Sequence, residues 1–467
     1  MNESTLLALA VTCHQLHDHI IPDHLEFRYI RCDLQRIHLW EALQQIPAQT
    51  SRIRGLYVVP EANLYWLGPR KSIVTPGSVV RRLQNFDSII TFPTIEMYLK
   101  AFTALASAIR VMRGLEIFQY QVAVKAPMEL LFAALNDSCP KLQDVQIGYT
   151  ALESHEHTAS LWQLHNLTSF SFYIDKPQNF TPPYTNALSD LIIHGCPLLQ
   201  ELHLETSGWG SELVACRLIQ EGNWQHLYRL TVGRTIALFP LATPEGVQIT
   251  TMSAFLKRHT NLQSLALLHE NSLLPGSIPL DALPNLHTLV FRGTHNRSIL
   301  STVVPIEVAQ HLVDISCDIT EGCVSHISQM PRLRSCALET GGPFLGKFVR
   351  AAPQLQRLFL ETHDVHGRTD LEIVDILTPY IKELQTLTAL TDLMGFLFYV
   401  DISSRDCHPL LEEIAAVPNL QYVQVTDRDE VKIIGLERYP DGKYKGYHDT
   451  SESPFQGWSG MFRGITS

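Results

Sequence analysis

The chain has 467 residues, 45% hydrophobic and 18% charged, with 36 Lys plus Arg against 47 Asp plus Glu and a net charge of −11. That length accommodates a large core or several domains at roughly 100–200 residues each, and the balance is that of a folded chain rather than a disordered one. The acidic total argues against general affinity for nucleic acid or anionic lipid, and no stretch approaches the roughly 18 apolar residues of a membrane helix.

Residues 4–21 read as one amphipathic helix, with Leu6, Leu9, Ala10, Cys13, Leu16, His17 and Ile20 at helical spacing on one face. Pro22 ends it. No basic segment leads into an apolar core there, so no secretory signal is expected. A second short helix is predicted over 38–46. Then a phrase begins that recurs along most of the chain: a leucine-like residue, two others, a second, one other, a third.

Its first frame is Ile53-Leu56-Val58. An irregular Pro- and Gly-rich insertion follows from Pro60 to Val80, and then a long helix pattern through Ile95, Tyr98, Leu99, Phe102, Leu105 and Ile109. The next frames are Met112-Leu115-Ile117, Leu142-Val145-Ile147, Leu167-Phe170-Phe172, Leu199-Leu202-Leu204, Leu227-Leu230-Val232 and Leu262-Leu265-Leu267. After them come Leu286-Leu289-Phe291, Leu312-Ile315-Cys317, Leu333-Cys336-Leu338, Leu355-Leu358-Leu360, Leu393-Phe396-Phe398 and Leu420-Val423-Val425. Successive starts after Met112 lie 21 to 38 residues apart, and the 59-residue gap after Ile53 leaves room for one degenerate unit near Phe86.

The segments between frames carry helical stripes: Met128, Leu131, Phe132 and Leu135; Leu188, Leu191 and Ile192; Leu345, Phe348 and Val349; Leu410, Leu411 and Ile414. Proline at 140, 197, 284, 331, 353 and 418 stands just ahead of a frame. It cannot continue a helix and drives the preceding residue towards an extended conformation, so it suits a helix-to-strand switch. Such strand–helix units cannot bury their apolar faces alone and must stack on neighbours, which is the pattern of a leucine-rich repeat. Regular repeats place Asn or Cys three residues after the third leucine-like position. Here that place holds Thr150, Thr235, Thr294 and Thr320, but also Glu270, Gly341 and His363, so an irregular array is expected.

Leu6-Leu7-Ala8-Leu9-Ala10-Val11-Thr12-Cys13-His14-Gln15-Leu16 resembles the second half of an F-box. Ile20-Ile21-Pro22-Asp23-His24-Leu25 and Leu39-Trp40-Glu41-Ala42-Leu43 resemble its flanks in expanded fungal families of F-box proteins with leucine-rich repeats. The first half of the motif, with its Leu-Pro start, would lie before Met1. The resemblance implies a substrate-recognition subunit of a Skp–cullin–F-box ubiquitin ligase, with Leu6, Leu9, Leu16 and Ile20 holding the adaptor. The alternative is that residues 4–21 cap the open end of a repeat array.

After about Gly435 the pattern stops. Residues 437–467, with Tyr439, Tyr444, Tyr447, Phe455, Trp458 and Phe462, read either as a loosely held tail or as a segment folding back over the last repeat.

Little in the sequence carries chemistry. His14, His17, His19 and His24 cluster near Cys13 and Cys32, but His17 and Cys13 fit the apolar stripe and do not make a converging metal set. Cys317 fits a strand-core position better than a pairing with Cys323. The nine cysteines are scattered, and Cys139 and Cys196 occupy matching repeat positions, which suggests buried thiols in a reducing compartment, cytoplasm or nucleus. No nucleophile elbow, phosphate loop or dinucleotide fingerprint occurs, so neither enzyme activity nor a cofactor is expected.

Recognition is expected on the strand face opposite the core, where alternation points Tyr173, Glu201, His203, Glu205, Arg229, Thr231, Arg292, Asp314, Asp318, Glu339, Arg357, Phe359 and Glu361 outward. Asp314, Asp318, Glu339 and Glu361 suggest a basic partner region. The expected fold is α/β: an irregular leucine-rich-repeat solenoid of about thirteen units, a curved parallel sheet backed by helices, over 51–436. A truncated F-box-like helical segment, 1–50, precedes it, and a tail, 437–467, follows. The expected partners are the ligase adaptor and a protein substrate, with a repeat scaffold lacking any ligase link as the alternative.

Overall fold

The computed structural model describes residues 9, 11–16, 27–59, 95–121, 128–150, 159–175, 182–207, 213–233, 236–240, 242–269, 273–291, 300–316, 321–338, 344–360, 370–401, 408–427, 430–440 and 443–449. Contacts divide the chain into two units, Met1–Leu227 with Thr235–Leu238, and Tyr228–Arg234 with Phe239–Ser467.

In the first unit, β1 (Tyr29–Cys32), β2 (Gly55–Val58), β3 (Ile117–Tyr120), β4 (Asp144–Thr150), β5 (Ser169–Asp175) and β6 (Glu201–Ser207) pair in parallel, in sequence order. β7 (Leu213–Val214) and β9 (Ile236–Ala237) form a small parallel pair of their own. The crossovers run through α1 (Ile37–Gln44), α2 (Ile95–Ile109), α3 (Glu129–Ser138) and α4 (Pro182–Asp190), the last ending in a π turn over Leu191–Gly195.

In the second unit β8 (Arg229–Val232), β10 (Ser264–Leu267), β11 (Thr288–Phe291), β12 (Asp314–Ser316), β13 (Ser335–Leu338), β14 (Arg357–Leu360), β15 (Asp392–Asp401) and β16 (Tyr422–Asp427) are again parallel and in sequence order. Helices α5 (Glu245–Arg258), α6 (Glu321–Ile327), α7 (Leu345–Ala351), α8 (Asp370–Leu384) and α9 (His408–Ala415) lie between them. β17 (Glu430–Arg438) and β18 (Tyr444–Asp449) then add antiparallel. Each unit is an open sheet backed by helices, the leucine-rich-repeat architecture.

The unit is built around one turn. The residues ending four helical segments, Cys139, Cys196, His259 and Ala352, have φ from −126° to −115° and ψ from 55° to 67°. Three residues on, the N–H of the frame's first leucine donates back to that residue's carbonyl: Leu142 to Cys139 at 3.1 Å, Leu199 to Cys196 at 3.2 Å, Leu262 to His259 at 3.1 Å and Leu355 to Ala352 at 3.1 Å. Proline fills the second place of this turn at 140, 197 and 353, and at 284, 331 and 418 in turns closed the same way. Its fixed φ suits that place and its missing N–H is not needed there. Trp224 and Leu387 begin the same turn without proline. The turn's first residue is buried throughout yet ranges from Ala352 to Trp224. The same slot therefore takes side chains of very different volume.

His259 in that slot gives a pH prediction. Its ring is 1% exposed, its Nδ1 lies 2.8 Å from the Phe255 carbonyl, and burial pushes its pKa down to about 4. An unfolded histidine titrates near 6.5. Between those values the unfolded chain takes up a proton that the folded one refuses. Stability that is complete above pH 6.5 therefore falls as pH drops towards 4. His259→Cys, copying Cys139 and Cys196, is expected to remove about 2 kcal/mol of acid destabilisation at pH 4.5. Urea midpoints at pH 7 and 4.5 check this; an equal acid shift in both proteins contradicts it.

At their described positions the other frames lie buried where expected, but two are displaced. In β3 the buried set is Leu115, Phe118 and Tyr120, while Ile117 is only half-buried. Met112 starts the turn, accepting from Leu115 N–H. Both sets fit the spacing; Tyr120 in the core decides between them. In β15, Leu393 pairs with Leu358 and so holds the second place, behind Leu390. Gly395 stands where the third belongs, at φ 73°. A Cβ there would lie 2.9 Å from the Leu360 carbonyl oxygen and 3.0 Å from the Phe359 ring, so glycine is required by both conformation and space.

Three further corrections follow. A strand precedes the first expected frame: β1 buries Ile30 and Cys32 behind Phe27. β2 pairs directly with β3, so no strand of a unit near Phe86 lies between them in the sheet, and Phe86 itself lies outside the described residues. Residues 9–16 are not one helix: Leu9 and His14–Leu16 are helical with a turn at Val11–Thr12 between, and Leu9, Cys13 and Leu16 are exposed. The C-terminal stretch, to Asp449, forms two strands, with Tyr439 and Tyr447 exposed. Leu6, Ile20, Cys317, Thr235, Thr294, Thr320 and Phe455–Phe462 lie outside the described residues.

Candidate functional site on the outward face of the sheets

Strand alternation sends every second side chain away from the helices. In the first unit, register aligns Arg31, Tyr57, Gln119, Gln146, Ser171 and His203 in one outward row across β1–β6. All except Arg31 keep part of their surface exposed. A second row runs Tyr29, Gly55, Ile117, Asp144, Ser169 and Glu201.

At the starts of β3–β6 a shallow cleft carries Glu116, Asp144 and Glu201, with Gln143, Thr168 and Gln200 between them. Ser169 Oγ donates to Asp144 Oδ1 at 3.0 Å. Burial pushes Asp144 up to about 6; hydrogen bonds from Ser169 and Gln146 oppose the shift, and the Glu201 charge adds to it. The folded state therefore holds this proton more tightly than the unfolded chain, whose aspartate titrates near 3.8. The resulting stabilisation is complete below 3.8 and is lost as pH rises through about 6. Asp144→Asn is expected to stabilise by about 1–2 kcal/mol at pH 7 and by almost nothing at pH 4. Equal gains at both pH values, by thermal melts, contradict this.

The expected partner-binding residues divide. Tyr173, Glu201 and His203 are half-buried on this face and Arg229 is exposed. Glu205 is only 5% exposed and sits 3.1 Å from His203 Nε2. In the second unit Asp314 is not a free charge: Arg357 Nη2 donates to Oδ1 at 3.2 Å, across β13, and Thr288 Oγ1 donates to Oδ2 at 3.0 Å. Phe359 is 3% exposed, packed with Ala337, Met394, Tyr422 and Ile433. The second unit's outward row is largely filled by its own contacts, with Thr231, Ala266, Val290, Ser316 and Ala337 buried. Arg292, Asp318, Glu339 and Glu361 lie outside the described residues; of the expected acidic set only Asp314 is described, and it is paired.

Sequence inspection missed Tyr29, Arg31, Tyr57, Gln119, Asp144 and Gln146. The signal was present in the alternation around Ile30 and Cys32, but cysteine and arginine there do not look like a strand frame. Among the described residues no group of three or more His, Cys, Asp or Glu is placed to hold a metal, and no helix is long and apolar enough to cross a membrane.

Parallel strands in sequence order, backed by helices, define the leucine-rich-repeat fold. No family description and no curated protein matches the sequence. Solved structures similar to it include an internalin from Listeria monocytogenes, 14% identical over 75% of this chain and 93% of that one, with a TM-score of 0.33. The leucine-rich-repeat-containing protein LegL7 from Legionella pneumophila is 12% identical over 76% and 92%, with a TM-score of 0.29. Both scores are too low to carry a functional argument.

Proposed function

We propose that this chain is a non-catalytic recognition module that captures a protein partner on the outward face of its strands. The observation that carries this is the first unit's row of Tyr57, Gln119, Gln146, Ser171 and His203, part-exposed and held in register. Hydrogen-bonded strands fix those side chains about 4.8 Å apart, so little ordering is left for binding to impose. Two negative charges on that row, Gln119→Glu with Gln146→Glu, are expected to weaken partner capture at least tenfold without unfolding the chain. An unchanged set of captured proteins would remove the proposal.

A link to ubiquitin ligase is favoured by the F-box-like segment and by its exposed apolar side chains: Leu9, Val11 and Leu16 are 36%, 74% and 38% exposed. Apolar groups left in water at that density suit a partner helix. In this role the adaptor binds the N-terminal segment, and the strands hold a substrate near the transferred ubiquitin, raising its effective concentration. The buried thiols of Cys139, Cys196, Cys323 and Cys336 fit work in a reducing compartment, cytoplasm or nucleus. Co-purification with the adaptor, lost on Leu9→Asp with Leu16→Asp, supports the link. No co-purification leaves a recognition scaffold without one.

A further inference from the structure

Ile30 and Cys32 of β1 are 0% and 1% exposed in the core, so Arg31 between them projects from the outward face. Its side chain is nevertheless only 9% exposed. Its Nε is buried without a hydrogen-bond partner, and among the described residues no carboxylate pairs with it. Burial lowers its affinity for the proton, with only Tyr57 acting the other way. A guanidinium partly drawn out of water, with no carboxylate beside it among the described residues, is disfavoured, and a sheet keeps one only against that cost.

The surroundings suit contact with a partner. A Cβ on Gly55 would fall 2.4 Å from Tyr29 Cδ1 and 3.0 Å from Tyr57 Cε2, so both rings lie over bare backbone beside Arg31. Tyr29, Tyr57 and Gln119 remain part-exposed around it. Gln121, 8% exposed, holds a second orphaned atom, its Oε1. Tyr and Arg are the side chains that most often dominate binding energy at protein interfaces.

We propose that Arg31 anchors a carboxylate side chain from an acidic peptide segment of the protein partner, a specificity that rests on the outward face being the recognition surface. A single guanidinium matches a carboxylate, one charge against one, in bidentate geometry. Gln119, Gln121 and Gln146 offer amide groups to the peptide backbone on either side. Asp144 and Glu201, in the neighbouring row towards β6, repel the same carboxylate and so direct it to the β1 end.

The test uses the full chain on an array of immobilised peptides in which one Glu or Asp is exchanged for Gln or Asn. Wild type is expected to retain the acidic members at least tenfold better, and Arg31→Gln to lose that preference while keeping neutral binders. Retention without an acid preference, or a preference that survives Arg31→Gln, overturns the anchor but leaves the recognition face standing. No retention of any peptide overturns both. A second measurement needs no partner. Arg31→Met, which deletes a buried cation with no carboxylate partner among the described residues, is expected to raise Tm by about 1–3 °C. A fall in Tm shows a structural role for Arg31 and overturns the anchor.

Discussion

Replacing Trp224 with alanine is expected to cost about 4 kcal/mol of stability. The indole is 1% exposed and fills the turn slot that other units give to Cys, Ala or Leu. Its Nε1–H donates to the Ile192 carbonyl at 3.1 Å, within the π turn that ends α4. The fit is close: a Cβ on Gly222 would lie 2.4 Å from the ring. Alanine leaves a cavity where the ring stood and takes a donor from a buried carbonyl, and the two penalties reinforce each other. Units in a repeat array touch mainly their neighbours, so faster amide exchange should concentrate in the units around 191–227. A urea midpoint shift equivalent to less than about 1 kcal/mol contradicts this account of the slot.

Arg438→Ala is expected to cost about 3 kcal/mol and to loosen the C-terminal strands. The guanidinium of this β17 residue reaches under the end of α9, where carbonyls have no helical partners. Its Nε and Nη2 donate to the Ala415 carbonyl at 3.2 and 3.0 Å, Nη2 also to Val417 at 3.2 Å, and Nη1 to Leu420 at 2.6 Å. The positive group sits at the negative end of the helix dipole and ties the antiparallel strands to the last parallel repeat. Lysine, lacking the planar fork, should recover less than half of the loss. Hydrogen exchange gives the readout: amides of Glu430–Arg438 should lose protection in Arg438→Ala before those of β14 do. Unchanged protection there would show that strand pairing alone holds β17.

Most of the architecture was legible because the frame and the proline turn are local signals. Leu199-Leu202-Leu204 is fixed by its own spacing, and Pro197 marks the turn before it whatever lies elsewhere. Ambiguity arose where apolar residues were too many or too unusual. The run around Leu393 fits several frames, and only pairing with β14 selects one. Near Met112 two frames compete until Tyr120 is seen buried at 0% exposure. β1 was invisible because Ile30-Arg31-Cys32 lacks leucine and its pairing with β2 is not local.

The outward face was legible only as an alternation. Which of its side chains remain available depends on cross-strand neighbours: Phe359 disappears beside Met394, and Asp314 is neutralised by Arg357 two strands away. The two C-terminal strands carry no repeat phrase, since their place depends on pairing with β16 and on Arg438.

Site-specific photo-crosslinking tests the recognition surface most directly. A crosslinking side chain at Gln119 or Gln146, on the outward row, should form adducts with a common protein partner, whereas one at Lys141 or Lys347, away from that row, should not. Adducts confined to Lys141 and Lys347 would place the partner on the turns and helices, and the outward strands would no longer be the site.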